Sequence, residues 1–281
     1  MRTAMKCVSL LWLVLGCACA STRSVVQEAV PPNQTFTLES AKLKETRRIT
    51  VYLPPGYEAS AETRFPVLYM PDGGLQEDFP HVATTVDSAI RAGELRPLVV
   101  VGIENTVRRR DLTGPTSVPS DLEVAPVIGG SAAFRAFIQD ELIPEVQRRY
   151  RVTEERAIIG ESLAGLFIVE TFFLQPELFD TYLALSPSLW WNAESLVQEA
   201  GERLAARPDL RAGLYVSSAD EENIIPAVAR LKDVLREHAP AGLKWEVEPR
   251  PDLRHDNIYR MSSPSVLRKW LPPVAAAGAA Q

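Results

Sequence analysis

The run Ile158-Ile159-Gly160-Glu161-Ser162-Leu163-Ala164-Gly165-Leu166 is an apolar stretch that stops at a glycine, presents one serine and continues through small residues. It reads as a short buried strand turning sharply into a helix, with the serine hydroxyl lifted above the sheet edge at the apex. Such a turn needs small residues two positions either side of the serine, because a larger Cβ there meets the neighbouring strand or helix. Gly160 meets that demand. Ala164 stands where the pattern G-x-S-x-G has its second glycine, and Gly165 follows it. The pattern by itself is common, so its meaning rests on the rest of the chain. A serine hydroxyl attacks only with help: a base, a carboxylate to orient the base, and backbone N–H groups facing the oxyanion.

The chain around this run has an α/β rhythm. Phe36 to Ser40 and Arg48 to Leu53 suggest a hairpin-like start, stopped by Pro54-Pro55-Gly56-Tyr57. Six short strands follow between helical segments: Pro66 to Met70, Leu98 to Ile103, Ala157 to Ile159, Tyr182 to Ser186, Leu214 to Ser218 and Lys244 to Val247. Continuous apolar strands between helices predict an eight-stranded, mostly parallel sheet with helices on both faces. Helices are expected over 132–150, with a kink at Pro144, and over 163–174, 195–206 and 225–238. At 281 residues, 46% hydrophobic and 23% charged, one large domain is preferred, spanning 36–272.

The ends read differently. Arg2 and Lys6 precede an apolar run from Val8 to Leu15 and then Gly16-Cys17-Ala18-Cys19-Ala20, which makes 1–20 an export signal. Val14-Leu15-Gly16-Cys17 has the form of a bacterial lipobox with Cys17 as the lipidated residue; Ala18-Cys19-Ala20 offers ordinary secretory cleavage instead. The expected location is the periplasm, tethered to the envelope by a lipid, with a soluble secreted form as the alternative. Residues 21–35 read as a flexible tether and 273–281 as a disordered tail. All 3 cysteines lie in the signal, so the domain is expected to use neither a disulfide nor a thiolate metal site. A net charge of -6 argues against nucleic acid as a partner.

The base must be one of 3 histidines. His81 falls in a helical segment and His238 at the end of a surface helix. His255 follows the last strand, where the order serine, acid, histidine places a base. The acid is expected from Ala219-Asp220-Glu221-Glu222-Asn223, the loop after the seventh strand, which leaves Glu222 and Asp220 open, with Asp252 and Asp256 as outside candidates. The oxyanion donors are expected to be the N–H of Leu163 and that of Gly74, in the bend Met70-Pro71-Asp72-Gly73-Gly74.

These features occur together with Ile49-Thr50-Val51-Tyr52-Leu53-Pro54-Pro55-Gly56-Tyr57, Phe65-Pro66-Val67-Leu68-Tyr69-Met70-Pro71-Asp72-Gly73, Val100-Val101-Gly102-Ile103-Glu104-Asn105, Arg110-Asp111-Leu112-Thr113, Pro176-Glu177-Leu178-Phe179-Asp180 and Ser186-Pro187-Ser188-Leu189-Trp190-Trp191. In that order they resemble the putative-esterase family of α/β-hydrolases, which includes enterochelin esterases, feruloyl esterases and esterase D. The resemblance implies an α/β-hydrolase fold and a serine esterase cleaving a small-molecule carboxylic ester without metal or organic cofactor. It implies Ser162 as nucleophile and His255 as base, and it favours Glu222 as the acid, although Ala219 replaces the family's glycine three residues before it. The family's usual His-Gly or His-Ser pair reads His255-Asp256 here. Trp190 and Trp191 are candidates to wall the pocket, against core positions. Arg110 is a candidate for an anionic substrate group, against a structural pair with Asp111. Two other readings use the same features: an acyltransferase with the same triad, and a non-catalytic binding lipoprotein that keeps the fold.

Overall fold

Successive residues of the central strands alternate between two apolar layers. Val67, Tyr69, Val101, Ile158, Tyr182, Ala184 and Val216 face one layer, while Leu68, Met70, Val100, Ile159, Leu183, Leu185 and Tyr215 face the other. That two-sided burial is why these strands read as unbroken apolar runs. The computed structural model describes residues 30–273. The expected signal, Cys17 and the residues beyond Pro273 lie outside them.

The strands are β1 (Asn33–Ser40), β2 (Glu45–Tyr52), β3 (Phe65–Pro71), β4 (Val99–Ile103), β5 (Val152–Glu161), β6 (Thr181–Leu185), β7 (Gly213–Ser218) and β8 (Lys244–Pro249). They form one sheet in the order β1-β2-β4-β3-β5-β6-β7-β8. The β1–β2 and β2–β4 pairs are antiparallel and every later pair is parallel. The eight-stranded, mostly parallel sheet is therefore the expected one. Its first strand starts three residues earlier than expected, inside the segment read as tether.

The helices in chain order are α1 (Phe79–Arg91), α2 (Arg108–Leu112), α3 (Pro119–Val124), α4 (Ser131–Phe137), α5 (Ile143–Arg149), α6 (Leu163–Leu174), α7 (Trp191–Gln198), α8 (Ala200–Ala205), α9 (Ile225–His238) and α10 (Ile258–Trp270). The expected bend near Pro144 takes a specific form, a π-helical turn over Ile138–Leu142 joining α4 to α5. A proline lacks the N–H that would close the regular ladder, and a widened turn accommodates the loss. α6 is apolar nearly all round and buried all round, as a helix packed between sheet and other helices must be. α10 was not legible in the sequence, where Met261-Ser262-Ser263-Pro264-Ser265 masks the periodicity of Ile258, Val266, Leu267 and Trp270. It packs with α1 over one face of the sheet. No helix among the described residues is long and apolar enough to cross a membrane.

One ion pair ties the antiparallel end to the helical layer. Arg47 of β2 is fully buried, its guanidinium 5.3 Å from the centre of the Phe134 ring and paired with Asp111 of α2 and, at 2.7 Å, with Glu45. Removing Asp111 leaves a buried cation with half its compensation. Asp111→Ala is expected to cost about 3–5 kcal/mol of stability, measurable as a lower denaturant midpoint; a loss under 1 kcal/mol would show the pair to be dispensable.

Candidate active site

β5 ends at Glu161 and α6 begins at Leu163, so one residue makes the whole reversal: Ser162, at φ 61 and ψ -118. The packing that forces this is visible at the two glycines. A Cβ on Gly160 would lie 2.7 Å from the Cβ of Ala164, and one on Gly165 would lie 3.0 Å from the Cα of Pro187. Ala164 is therefore accommodated because Gly160 yields the space, and Gly165 supplies the second close approach. The backbone strain, of order 1–3 kcal/mol, is held by three hydrogen bonds. Ser162 N–H donates to the Leu185 carbonyl at 3.0 Å, and the Ser162 carbonyl accepts from the N–H of Leu166 at 2.9 Å and of Ser188 at 3.1 Å. Ser162 Oγ has Ser188 Oγ at 3.5 Å.

His255 comes to this elbow from the loop after β8, with its side chain 45% exposed. Its Nδ1 lies 2.6 Å from Oε2 of Glu221, and its Nε2 lies 3.2 Å from Oε1 of Glu161, the residue before the serine. The carboxylate on the imidazole is thus Glu221, and neither Glu222 nor Asp220. Those two are exposed on either side of it. Asp256 is also exposed, and Asp252 pairs with Arg250 at 2.8 Å. The reason is strand alternation continued past the end of β7: Ser217, Ala219 and Glu221 fall on the inner side, and residues 220 and 222 fall outward. That two-residue period was the available signal for Glu221. Two backbone bonds pin the register, Asp220 N–H to the Leu253 carbonyl and Ala219 N–H to Ser186 Oγ, both 2.9 Å. The Ser186 hydroxyl, itself fully buried, donates to the other Glu221 oxygen at 2.8 Å.

The N–H of Leu163 is the first of α6, with no partner inside the helix. The second expected oxyanion donor, Gly74, is corrected: its N–H donates to a Glu77 carboxylate oxygen at 2.7 Å, and the N–H of Gly73 is bound to the Ile103 carbonyl at 2.9 Å. Gly73 is pressed against β4, where an added Cβ would sit 2.3 Å from the Cα of Gly102. Both glycines therefore serve the β4 side of the bend. Asp72, in the same bend, has a positive φ of 56.

The arginine that belongs to the site is Arg108, at the start of α2. Its guanidinium grips Asp72 with two bonds of 2.7 Å. Arg110 is instead held by Glu45 and Asp111, each at 2.7 Å, in the structural network around Arg47. Trp191 is a core residue, 5% exposed, with its indole N–H on the Gly114 carbonyl at 3.0 Å. Trp190 is half-buried against the same core cluster. No group of three or more His, Cys, Asp or Glu side chains among the described residues is arranged to hold a metal ion.

Glu161 carries the largest electrostatic perturbation of the site. Burial pushes its carboxyl up to about 8; Arg108 opposes the shift, while Asp72, Asp78 and Glu221 add to it. The His81 imidazole, hydrogen-bonded to buried Ser263 at 2.8 Å, is pushed down to about 4 by burial and then by Arg260. It belongs to the α1–α10 packing.

A family model described as "Putative esterase" matches residues 40–259. The chain is 31% identical over 242 residues to the siderophore triacetylfusarinine C esterase of Aspergillus fumigatus, covering 79% of this chain and 78% of that protein. It is 30% identical over 193 residues to the ferri-bacillibactin esterase BesA of Bacillus subtilis, covering 59% of this chain and 65% of BesA, just under two thirds of that relative's length. Among solved structures, an IroE-like serine hydrolase from Shewanella oneidensis superposes with a TM-score of 0.78 at 28% identity, over 85% of this chain and 80% of that one.

A carboxyl whose folded value is raised stabilises fully below its unfolded value, 4.5 for Glu161, and loses that contribution as pH rises towards about 8. Glu161→Gln removes the ionisation. Its stability is expected to exceed that of the natural protein by a margin that widens from pH 5 to pH 8, reaching on the order of a few kcal/mol. Thermal melts giving a pH-independent difference would contradict this.

Proposed function

The chain belongs to the "Putative esterase" family of α/β-hydrolases, and on that footing we propose that it is a serine hydrolase of carboxylic esters working through an acyl-enzyme. The observation that carries the reading is the Glu221–His255 contact of 2.6 Å placed beside a serine at positive φ. Ser162 Oγ attacks the ester carbonyl as His255 Nε2 takes its proton. Glu221 holds Nδ1–H and stabilises the imidazolium that forms. The oxyanion develops against the Leu163 N–H, with the N–H of Asp72 as second donor in place of that of Gly74. The imidazolium then gives its proton to the departing alkoxide, and water enters by the same base to release the acid.

The substrate class we take from relatives: the two proteins named above are called a siderophore triacetylfusarinine C esterase and a ferri-bacillibactin esterase. An ester-linked siderophore is therefore the proposed substrate. Incubation of residues 30–273 with a catecholate siderophore, a feruloyl ester and short acyl esters tests this, with fastest cleavage expected for the siderophore. Preference for the feruloyl ester by tenfold or more would reassign the substrate.

Ser162→Ala is expected to fold and to lose turnover by at least three orders of magnitude. Glu221→Gln should lower kcat by about 10²–10⁴ with little change in KM, whereas Glu222→Gln and Asp220→Asn stay within a few-fold of the natural protein. Loss of activity in Glu222→Gln alone would return the acid to the neighbouring residue.

Export with acylation at Cys17 is carried by Val14-Leu15-Gly16-Cys17. Expression in a bacterium that processes lipoproteins should place the protein in the membrane fraction, and Cys17→Ala should abolish that. A soluble natural protein beginning at Ser21 would replace lipidation by ordinary secretory cleavage.

A further inference from the structure

We propose that Ser186 is a positioning residue whose hydroxyl aims the Glu221 carboxylate at His255, so that the rate of catalysis depends on a residue too deeply buried to meet the substrate. The inference rests on Glu221 being the acid of the proposed esterase and adds the group that keeps it in place.

The two partners of the hydroxyl give it a direction. Ser186 Oγ accepts the N–H of Ala219 at 2.9 Å and lies 2.8 Å from Oε1 of Glu221. An amide N–H only donates and an ionised carboxylate only accepts, so the hydroxyl proton lies on the Glu221 side. Oε1 is thereby satisfied. Oε2 is the oxygen left for the imidazole, and it stands 2.6 Å from Nδ1 of His255. A glutamate side chain gives up much rotamer freedom when it is fixed. A partner at each oxygen is what fixes this one.

The main chain of Glu221 has anchors of its own. Its carbonyl accepts the N–H of Ile224 at 3.1 Å and of Ile225 at 3.0 Å, at the start of α9, and the Asp220 N–H is held by the Leu253 carbonyl. What the Ser186 hydroxyl adds is therefore the aim of the carboxylate.

The backbone of Ser186 points the same way. Directly after β6 it takes φ 40, a left-handed conformation that L-residues avoid and glycine adopts freely. Its N–H donates to the Ser217 carbonyl at 2.9 Å, which ties it to β7, and its side chain is fully buried. A strained, buried serine at a position that suits glycine is accounted for by its hydroxyl. Removing that hydroxyl leaves both Glu221 Oε1 and the Ala219 N–H without their partner.

The test is a double-mutant cycle on kcat and KM for a short acyl ester, with Ser186→Ala, Ser186→Gly and Glu221→Ala. Both Ser186 variants are expected to lower kcat by about 10–100-fold with KM within about twofold of the natural value. In the Glu221→Ala background the same substitutions are expected to change kcat by less than about twofold, because the carboxylate they aim is gone. Losses that multiply in the double variants would overturn the proposal, since Ser186 would then act through general stability or another group. So would a Ser186→Gly protein with natural kcat, which would assign the effect of Ser186→Ala to backbone strain. Glycine relieves that strain, so this variant carries the test if Ser186→Ala fails to fold. A readout free of turnover is the crystal structure of Ser186→Gly, in which the Glu221 carboxylate is expected to leave Nδ1 of His255 or to spread over several rotamers. A contact unchanged at 2.6 Å would overturn the proposal whatever the activity. If the natural protein cleaves no ester, the esterase reading falls and this structure alone decides whether Ser186 holds Glu221.

Discussion

The close approach of α6 to β5 and to the loop after β6 governs the site. Gly160 leaves no room for a Cβ beside Ala164, and Gly165 none beside Pro187. With both contacts made, the chain must reverse at one residue, and Ser162 takes a conformation that an L-residue avoids. The cost is local, while the compensation is spread over the burial of α6, whose Leu166, Phe167, Ile168, Val169, Phe172 and Phe173 pack into the larger core cluster. A strained serine is tolerable because a well-packed helix cannot move to relieve it.

From that point the parallel sheet delivers the remaining groups by direction alone. Asp72 follows β3, Arg108 comes after β4, Ser162 follows β5, Ser186 follows β6, Glu221 follows β7 and His255 follows β8. Parallel strands all end at the same edge, so residues spread over 184 positions meet there without any being near neighbours in the chain. Another unusual backbone, Ser186 at φ 40, belongs to the same edge. Its hydroxyl both accepts from the Ala219 N–H and donates to Glu221, so the loop after β6 sets the loop after β7, which in turn sets the imidazole.

The electrostatics of this edge are lopsided. Two carboxyl groups, Glu161 and Glu221, lie against one imidazole, while Asp72, Asp78 and Arg108 bear on Glu161. A catalytic base needs one carboxylate at Nδ1; a second at Nε2 is not required by the elbow, whose steric demands fall on positions 160, 164 and 165.

The unbroken apolar runs between helical segments, the glycine before the serine and the position of His255 after the last strand were enough to read the sheet and two candidate residues of the site, because each depends on local steric rules or on strand order. Membership of the family was legible for the same reason, in motifs that keep their order along the chain. Which acid meets the imidazole was decided by tertiary structure. Asp220, Glu221 and Glu222 are chemically near-equivalent, and the choice turns on the register imposed by the Leu253 carbonyl and the Ser186 hydroxyl, groups more than thirty residues away on either side. The same holds for Gly74, whose N–H is taken by Glu77, and for Arg110, drawn off to Glu45 while Arg108 turns inward. A residue's type and spacing determine what it can do; which of several equal candidates does it depends on hydrogen bonds to partners that only the folded chain brings within reach.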